Sequence, residues 1–158
     1  MDDIAIARAL HVLSVVVWIG GVTFMTTIVL PSIRRGEFGE DWVKAFHSAE
    51  HRFIWVARTA ALIVGATGFY IVVRLDLWQR FASARFWWMH AMLGLWLILM
   101  AVLFVIEPLI LRRRFDAWAA ANRREAFASL QRGHILLVAL SLMTIFGAVA
   151  GAHGWMPF

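Results

Sequence analysis

Four runs of apolar residues, each long enough to cross a bilayer, constrain this chain more than any other feature. They cover about Ile4–Leu30, Phe53–Val73, Phe86–Leu111 and Ile135–Trp155. A membrane helix needs about 20 consecutive apolar residues. Lipid offers no partner to a backbone N–H or C=O, so a segment that crosses it must satisfy its own backbone. An open sheet edge cannot do this, and all four runs read as helices. The expected fold is therefore all-α, an integral membrane four-helix bundle, with residues 1–158 forming one transmembrane domain. The chain is 62% hydrophobic, against about 45–50% in soluble domains. That is more apolar surface than a small globule could hide, which makes the lipid bilayer the expected surroundings.

Charge sets the expected orientation. There are 15 Lys+Arg against 10 Asp+Glu, a formal net charge of +5, and Lys44 is the only lysine. Such an excess suits nucleic acid or a membrane surface. Here the arginines fall between apolar runs, so no nucleic-acid partner is expected. Loop one and its edges carry Arg34, Arg35, Lys44 and Arg52. Loop three carries Arg112, Arg113, Arg114, Arg123, Arg124 and Arg132, while the middle loop has only Arg74, Arg80 and Arg85. By the positive-inside rule, loops one and three face the cytoplasm. The expected location is a cell inner membrane, with both termini on the outer, periplasmic side. The first run opens Met-Asp-Asp without a basic n-region, so it is expected to stay in the mature protein. With no cysteine, thiolate metal sites and iron–sulfur clusters are excluded.

Local signals refine the connections. Pro31 is expected to close the first helix. Trp42, Val43 and Phe46 fall at helical spacing, so residues 40–51 read as a short interfacial amphipathic helix. Loop three, rich in Ala and Arg, is expected to extend the third helix and to turn at Gly133. Glu107-Pro108 predicts a kink. Arg58, inside the second run, must either snorkel or pair, and Glu107 is its natural partner.

Ionisable groups inside a membrane helix are functional candidates by default, and the histidines are the most informative of them. The topology sorts them into an outer layer (His11, His90, His153) and an inner layer (His47, His51, His134). His11 and His90 lie at similar depth on two helices. Two imidazoles facing across a bundle hold a haem iron axially in many membrane cytochromes. Trp18, Gly21 and Gly94 offer lining and room for a macrocycle, and Arg8 and Arg85 offer cations for its propionates. His47, His51 and His134 are candidates for a second haem or metal site. Each feature also has a plainer reading. A membrane-interface histidine can bond a backbone carbonyl or water, membrane glycines often serve packing, and end aromatics often form belts. By that reading Gly65, Gly68, Gly147 and Gly151 are packing points.

The spacing His11, six residues, Trp18, then Gly20-Gly21 resembles the first helix of the CopD-type copper-resistance membrane family. It also resembles the related four-helix HemJ-type protoporphyrinogen oxidases. The stretch from Arg52-Phe53 through Gly65-Ala-Thr-Gly68-Phe-Tyr70 is similar to the same group. The resemblance implies a four-helix membrane protein with His11 as a haem or metal ligand. HemJ-type proteins carry a lysine in the third helix, whereas this chain has His90 near that place. The departure weighs against protoporphyrinogen oxidation and for a bis-histidine cytochrome.

The leading expectation is thus a membrane b-type cytochrome. Haem b would sit on His11 and His90, with electrons exchanged with quinol, a c-type cytochrome or a larger respiratory complex. Copper handling by His11, His90 and His153 with Met89, Met92 or Met156 is the alternative. An accessory subunit of a larger membrane complex is a third reading, and oligomers are compatible with all of them. Catalysis is expected only in the HemJ-like reading.

Overall fold

A computed structural model describes residues 2–37, 39 and 42–155. Glu40 and Asp41, the start of the expected amphipathic segment, lie outside the described residues. So do Met156 and the side chains of Trp42, Val43, Lys44, Arg112, Arg113 and Arg123. Five helices follow one another: α1 (Asp2–Arg35), α2 (Trp42–Arg74), α3 (Trp87–Ala101), α4 (Arg112–Ala121) and α5 (Arg123–Ala152). A π-helical stretch, Val102–Leu111, joins α3 to α4, and two 3-10 turns join α2 to α3. Among the described residues there are no strands, and four helical segments are long and apolar enough to cross a membrane. The chain is an all-α four-helix membrane bundle.

Its surface is inside-out relative to a soluble bundle. Leu13, Val16, Phe69, Leu136 and Phe146 each expose 60% or more, which suits lipid as the outer solvent. The interior relies on small residues instead. Ala57, Ala60, Ala61 and Val64, one stripe of α2 at helical spacing, pack with Trp18 and Val22 of α1 and Leu99 and Leu103 of the third span. Small residues let helix backbones approach where hydrophobicity cannot drive association. Aromatic rings fill the glycine notches: Phe53 lies on Gly21, Trp96 on Gly65, Trp87 on Gly147 and Trp88 on Gly151. The packing role expected of Gly65, Gly147 and Gly151 is what the structure shows.

Several connections differ from expectation. Residues 42–51 are not a separate interfacial helix but the first turns of the 33-residue α2. Phe46 is buried, edge-on to Phe127 at 5.1 Å between ring centroids. A buried aromatic anchor pulls this end of α2 into the bundle rather than onto its surface. The turn in loop three comes at Asn122 and not at Gly133, which lies within α5. Asn122 caps α5 by accepting from Glu125 N, while its amide donates to Glu125 Oε2 at 2.8 Å. The Asn122 side chain thus satisfies one helix-start donor, Glu125 N–H, which a glycine has no side chain to do.

Pro31 does not close α1, which runs on to Arg35 and ends in a left-handed Gly36 (φ 79°). Gly36 N–H bonds Ile33 O and Glu37 N–H bonds Ser32 O, the paired bonds of a glycine-terminated helix. Both membrane prolines are instead absorbed by π-helical turns, Met25–Val29 before Pro31 and Val102–Leu111 around Pro108. In a π ladder the N–H of residue i bonds the carbonyl of i−5, so Pro31 and Pro108 orphan Thr26 O and Leu103 O. Each orphan is met by a side chain from another helix. Gln131 Nε2 donates to Thr26 O at 3.3 Å. Arg58 donates to Leu103 O through Nε (3.0 Å) and Nη2 (2.8 Å).

Candidate functional site

His11 is held from α2. Its Nδ1 lies 3.0 Å from Thr67 Oγ1. The Thr67 hydroxyl proton is already committed, because Oγ1 donates to Ile63 O at 2.6 Å. Hence His11 Nδ1–H is the donor and Thr67 Oγ1 the acceptor. This assignment corresponds to the Nδ1–H tautomer, in which Nε2 keeps its lone pair. Gly68 completes the seat: a Cβ there would come within 3.2 Å of His11 Cε1. Thr67 and Gly68 continue the small-residue stripe of α2, so the packing that joins the two helices also sets the ring. Ligand histidines are commonly tied in this way, one nitrogen held so that the other is aimed.

A polar lock closes the same end of the helix pair. Asp3 Oδ2 accepts from Tyr70 Oη at 2.7 Å and from Arg74 Nη2 at 2.9 Å. Thr67, Tyr70 and Arg74 share one α2 face at spacings of three and four. They meet Asp3 and His11 of α1. Neither Thr67 nor Asp3 was identified from the sequence. The signal available was Arg74, a cation at a helix end that needs an acid.

The other expected site residues are placed differently. His90 is exposed, with Nε2 2.9 Å from Phe81 O and Nδ1 3.3 Å from Phe86 O. Its ring stands edge-on to Phe81 at 5.7 Å. His90 ties the start of α3 to the preceding 3-10 turns, and no contact joins it to His11 among the described residues. Trp18 belongs to the α1–α2 core, and Gly21 is filled by Phe53. A side chain at Gly94 would meet no neighbouring element within 4 Å of its Cβ. Arg8 and Arg85 are exposed. In the other layer, His47 Nδ1 faces Glu50 Oε2 at 3.4 Å, His51 is exposed, and His134 Nδ1 bonds Leu130 O at 3.0 Å. His153 Nδ1 likewise bonds Val149 O at 2.8 Å. Among the described residues no group of three or more His, Asp or Glu side chains is placed to share a metal ion.

Arg58 and Glu107 form the expected pair, 2.9 Å apart and largely enclosed. The guanidinium also lies over Trp55 (5.6 Å) and Phe104 (5.5 Å). One guanidinium therefore neutralises a membrane carboxylate and replaces the N–H missing at Pro108. The arrangement is structural: it holds α2 to the π stretch.

As donors for haem, the residues present fit at one ligand. His11 has a free Nε2 on a fixed ring, whereas His90 serves only after giving up Phe81 O. Comparison with protein-family models, with characterised proteins and with solved structures finds no match to this chain.

Proposed function

We propose that this chain is a membrane haem-b protein that transfers electrons, with His11 as an axial ligand. The observation that carries the reading is the Thr67 bond, which corresponds to the Nδ1–H tautomer of His11 and leaves Nε2 for iron. A bound haem would supply one-electron redox chemistry. The chain would set its electronics through the Thr67-to-His11 hydrogen bond, through burial of the ring and through the charge of Arg8 one turn away. The spacing of His11, Trp18 and Gly20-Gly21, similar to CopD-type and HemJ-type first helices, supports the same residue.

His90 is the second ligand in this reading, recruited by release from Phe81 O. The open surface at Gly94, one turn along α3, supports room on that face. The location that goes with the reading is a cell inner membrane with both termini outside, from the arginine distribution. Quinol and a c-type cytochrome or larger respiratory complex are the partners. A haem axial position needs one imidazole per face, whereas copper needs several converging donors. Among the described residues no set of His, Asp or Glu side chains converges on His11, and this supports haem over copper in the reading.

The test is an optical spectrum of the purified full-length protein, made with haem available. A reduced b-type band is expected in the wild type and is lost in His11→Ala. Thr67→Val retains the band but shifts its midpoint potential, because the ligand loses its hydrogen-bonded support. A wild type without haem, or an unchanged spectrum in His11→Ala, refutes the assignment.

A further inference from the structure

Three arginines close on one cleft at the end of the bundle where α1 stops and α5 starts. The cleft is about 400 Å³ and is lined by Pro31, Arg34, Arg35, Arg124 and Gln131. Its walls are pinned from within. Gln131 bonds Thr26 O through Nε2 and accepts Arg34 Nη1 at its Oε1. Arg35 donates to Glu37 and, through Nη2, to Ser32 Oγ at 3.2 Å. Arg124 is exposed and has no hydrogen-bond or ion-pair partner among the described residues. The neighbouring acid, Glu125, is engaged by Asn122. Among the described residues, Glu37, paired with Arg35, is the carboxylate that meets these three guanidiniums.

The cleft sits where the apolar spans end. Ile28 lies in the π-helical turn just before Pro31, and Ile135 lies one α-helical turn after Gln131 on its face. Both isoleucines are more than half exposed. A charged cleft thus leads onto an apolar surface, which suits a ligand with a phosphate head and acyl chains. Basic pockets between membrane helices recognise anionic head groups through these contacts, and arginine's fork matches phosphate oxygens. We propose that this cleft binds the phosphate of an anionic phospholipid, independently of any cofactor at His11. The shared chemistry with free phosphate is the guanidinium cluster; the Ile28 and Ile135 surface assigns the lipid.

The full-length protein in detergent would be titrated with phosphatidylglycerol, phosphatidylcholine or inorganic phosphate, with bound lipid read by native mass spectrometry. Phosphatidylglycerol should bind about 5-fold or more tightly than phosphatidylcholine, and Arg124→Gln should weaken it by about 5-fold. Arg124→Lys, which keeps the charge but not the fork, should bind between the wild type and Arg124→Gln. Arg52→Gln, which removes an equal charge from an exposed residue that does not line the cleft, should leave binding within about 2-fold, since an exposed charge that does not touch the ligand contributes little in water. Equal binding of the two lipids in the wild type overturns the proposal, and that comparison needs no variant. An equal loss in Arg52→Gln overturns it in favour of diffuse surface charge. Displacement of the lipid by inorganic phosphate at millimolar concentration overturns it in favour of a free-anion site.

Discussion

Two prolines and one histidine show how single residues are handled where water is absent. Pro31 and Pro108 each orphan a carbonyl five residues back, and each carbonyl is capped by a side chain from another helix. Gln131→Leu should destabilise the protein by about 1–3 kcal/mol, the cost of an unsatisfied buried carbonyl. In a Pro31→Ala background the restored N–H should remove about 1 kcal/mol of that cost. A double-mutant cycle by thermal unfolding in detergent reads the coupling; strict additivity contradicts it. Arg58→Met should cost about 3–5 kcal/mol, because Glu107 is left uncompensated, and adding Glu107→Met should recover only the part due to the stranded carboxylate, leaving about 1–3 kcal/mol for the unsatisfied Leu103 O. The Arg58–Glu107 pair was legible in the sequence, since a charge in lipid demands a countercharge. The bond to Leu103 O was hidden, because it depends on a π register around Pro108. Thr67 was hidden for another reason: only the α1–α2 register brings it to His11, 56 residues away.

At the scale of elements, the apolar runs marked where helices pass through lipid but not where they end. Helices α2 and α5 extend well beyond their apolar parts, into Trp42–Phe53 and Arg123–Ile135, because buried Phe46, Ala126 and Phe127 form a second core there. That core is built from sparse apolar residues within charged sequence, so hydropathy does not register it. The α5 start rests on Asn122, and Asn122→Ala should lower stability by about 1 kcal/mol. The glycine notches make a sharper test. A Cβ at Gly151 would stand 2.5 Å from Trp88, so Gly151→Ala should cost about 1–3 kcal/mol through overpacking. Gly94→Ala, where nothing lies within 4 Å, should be neutral or gain up to about 1 kcal/mol in helix propensity. Equal effects at the two positions would contradict the packing described.

The whole molecule is a bundle whose apolar exterior requires lipid and whose two ends differ in charge. That architecture followed from segment length and backbone hydrogen bonding alone. Orientation is tested directly in a chain without native cysteine. Gln79→Cys, between α2 and α3, should react with an impermeant thiol reagent added outside intact cells. Ala121→Cys, at the end of α4, should react only after permeabilisation; the reverse pattern contradicts the proposed topology. The candidate site was legible only in part. His11 stood out as a costly polar group in an apolar run, and its seat on Thr67 and Gly68 corresponds to the Nδ1–H tautomer. His90 shared its depth, but depth does not determine which way a ring faces, and Phe81 O holds it. The reduced optical spectrum of wild type and His11→Ala, purified side by side, tests the central claim most directly. The account predicts a b-type band in the wild type that His11→Ala abolishes, whereas a band retained in full by His11→Ala contradicts it.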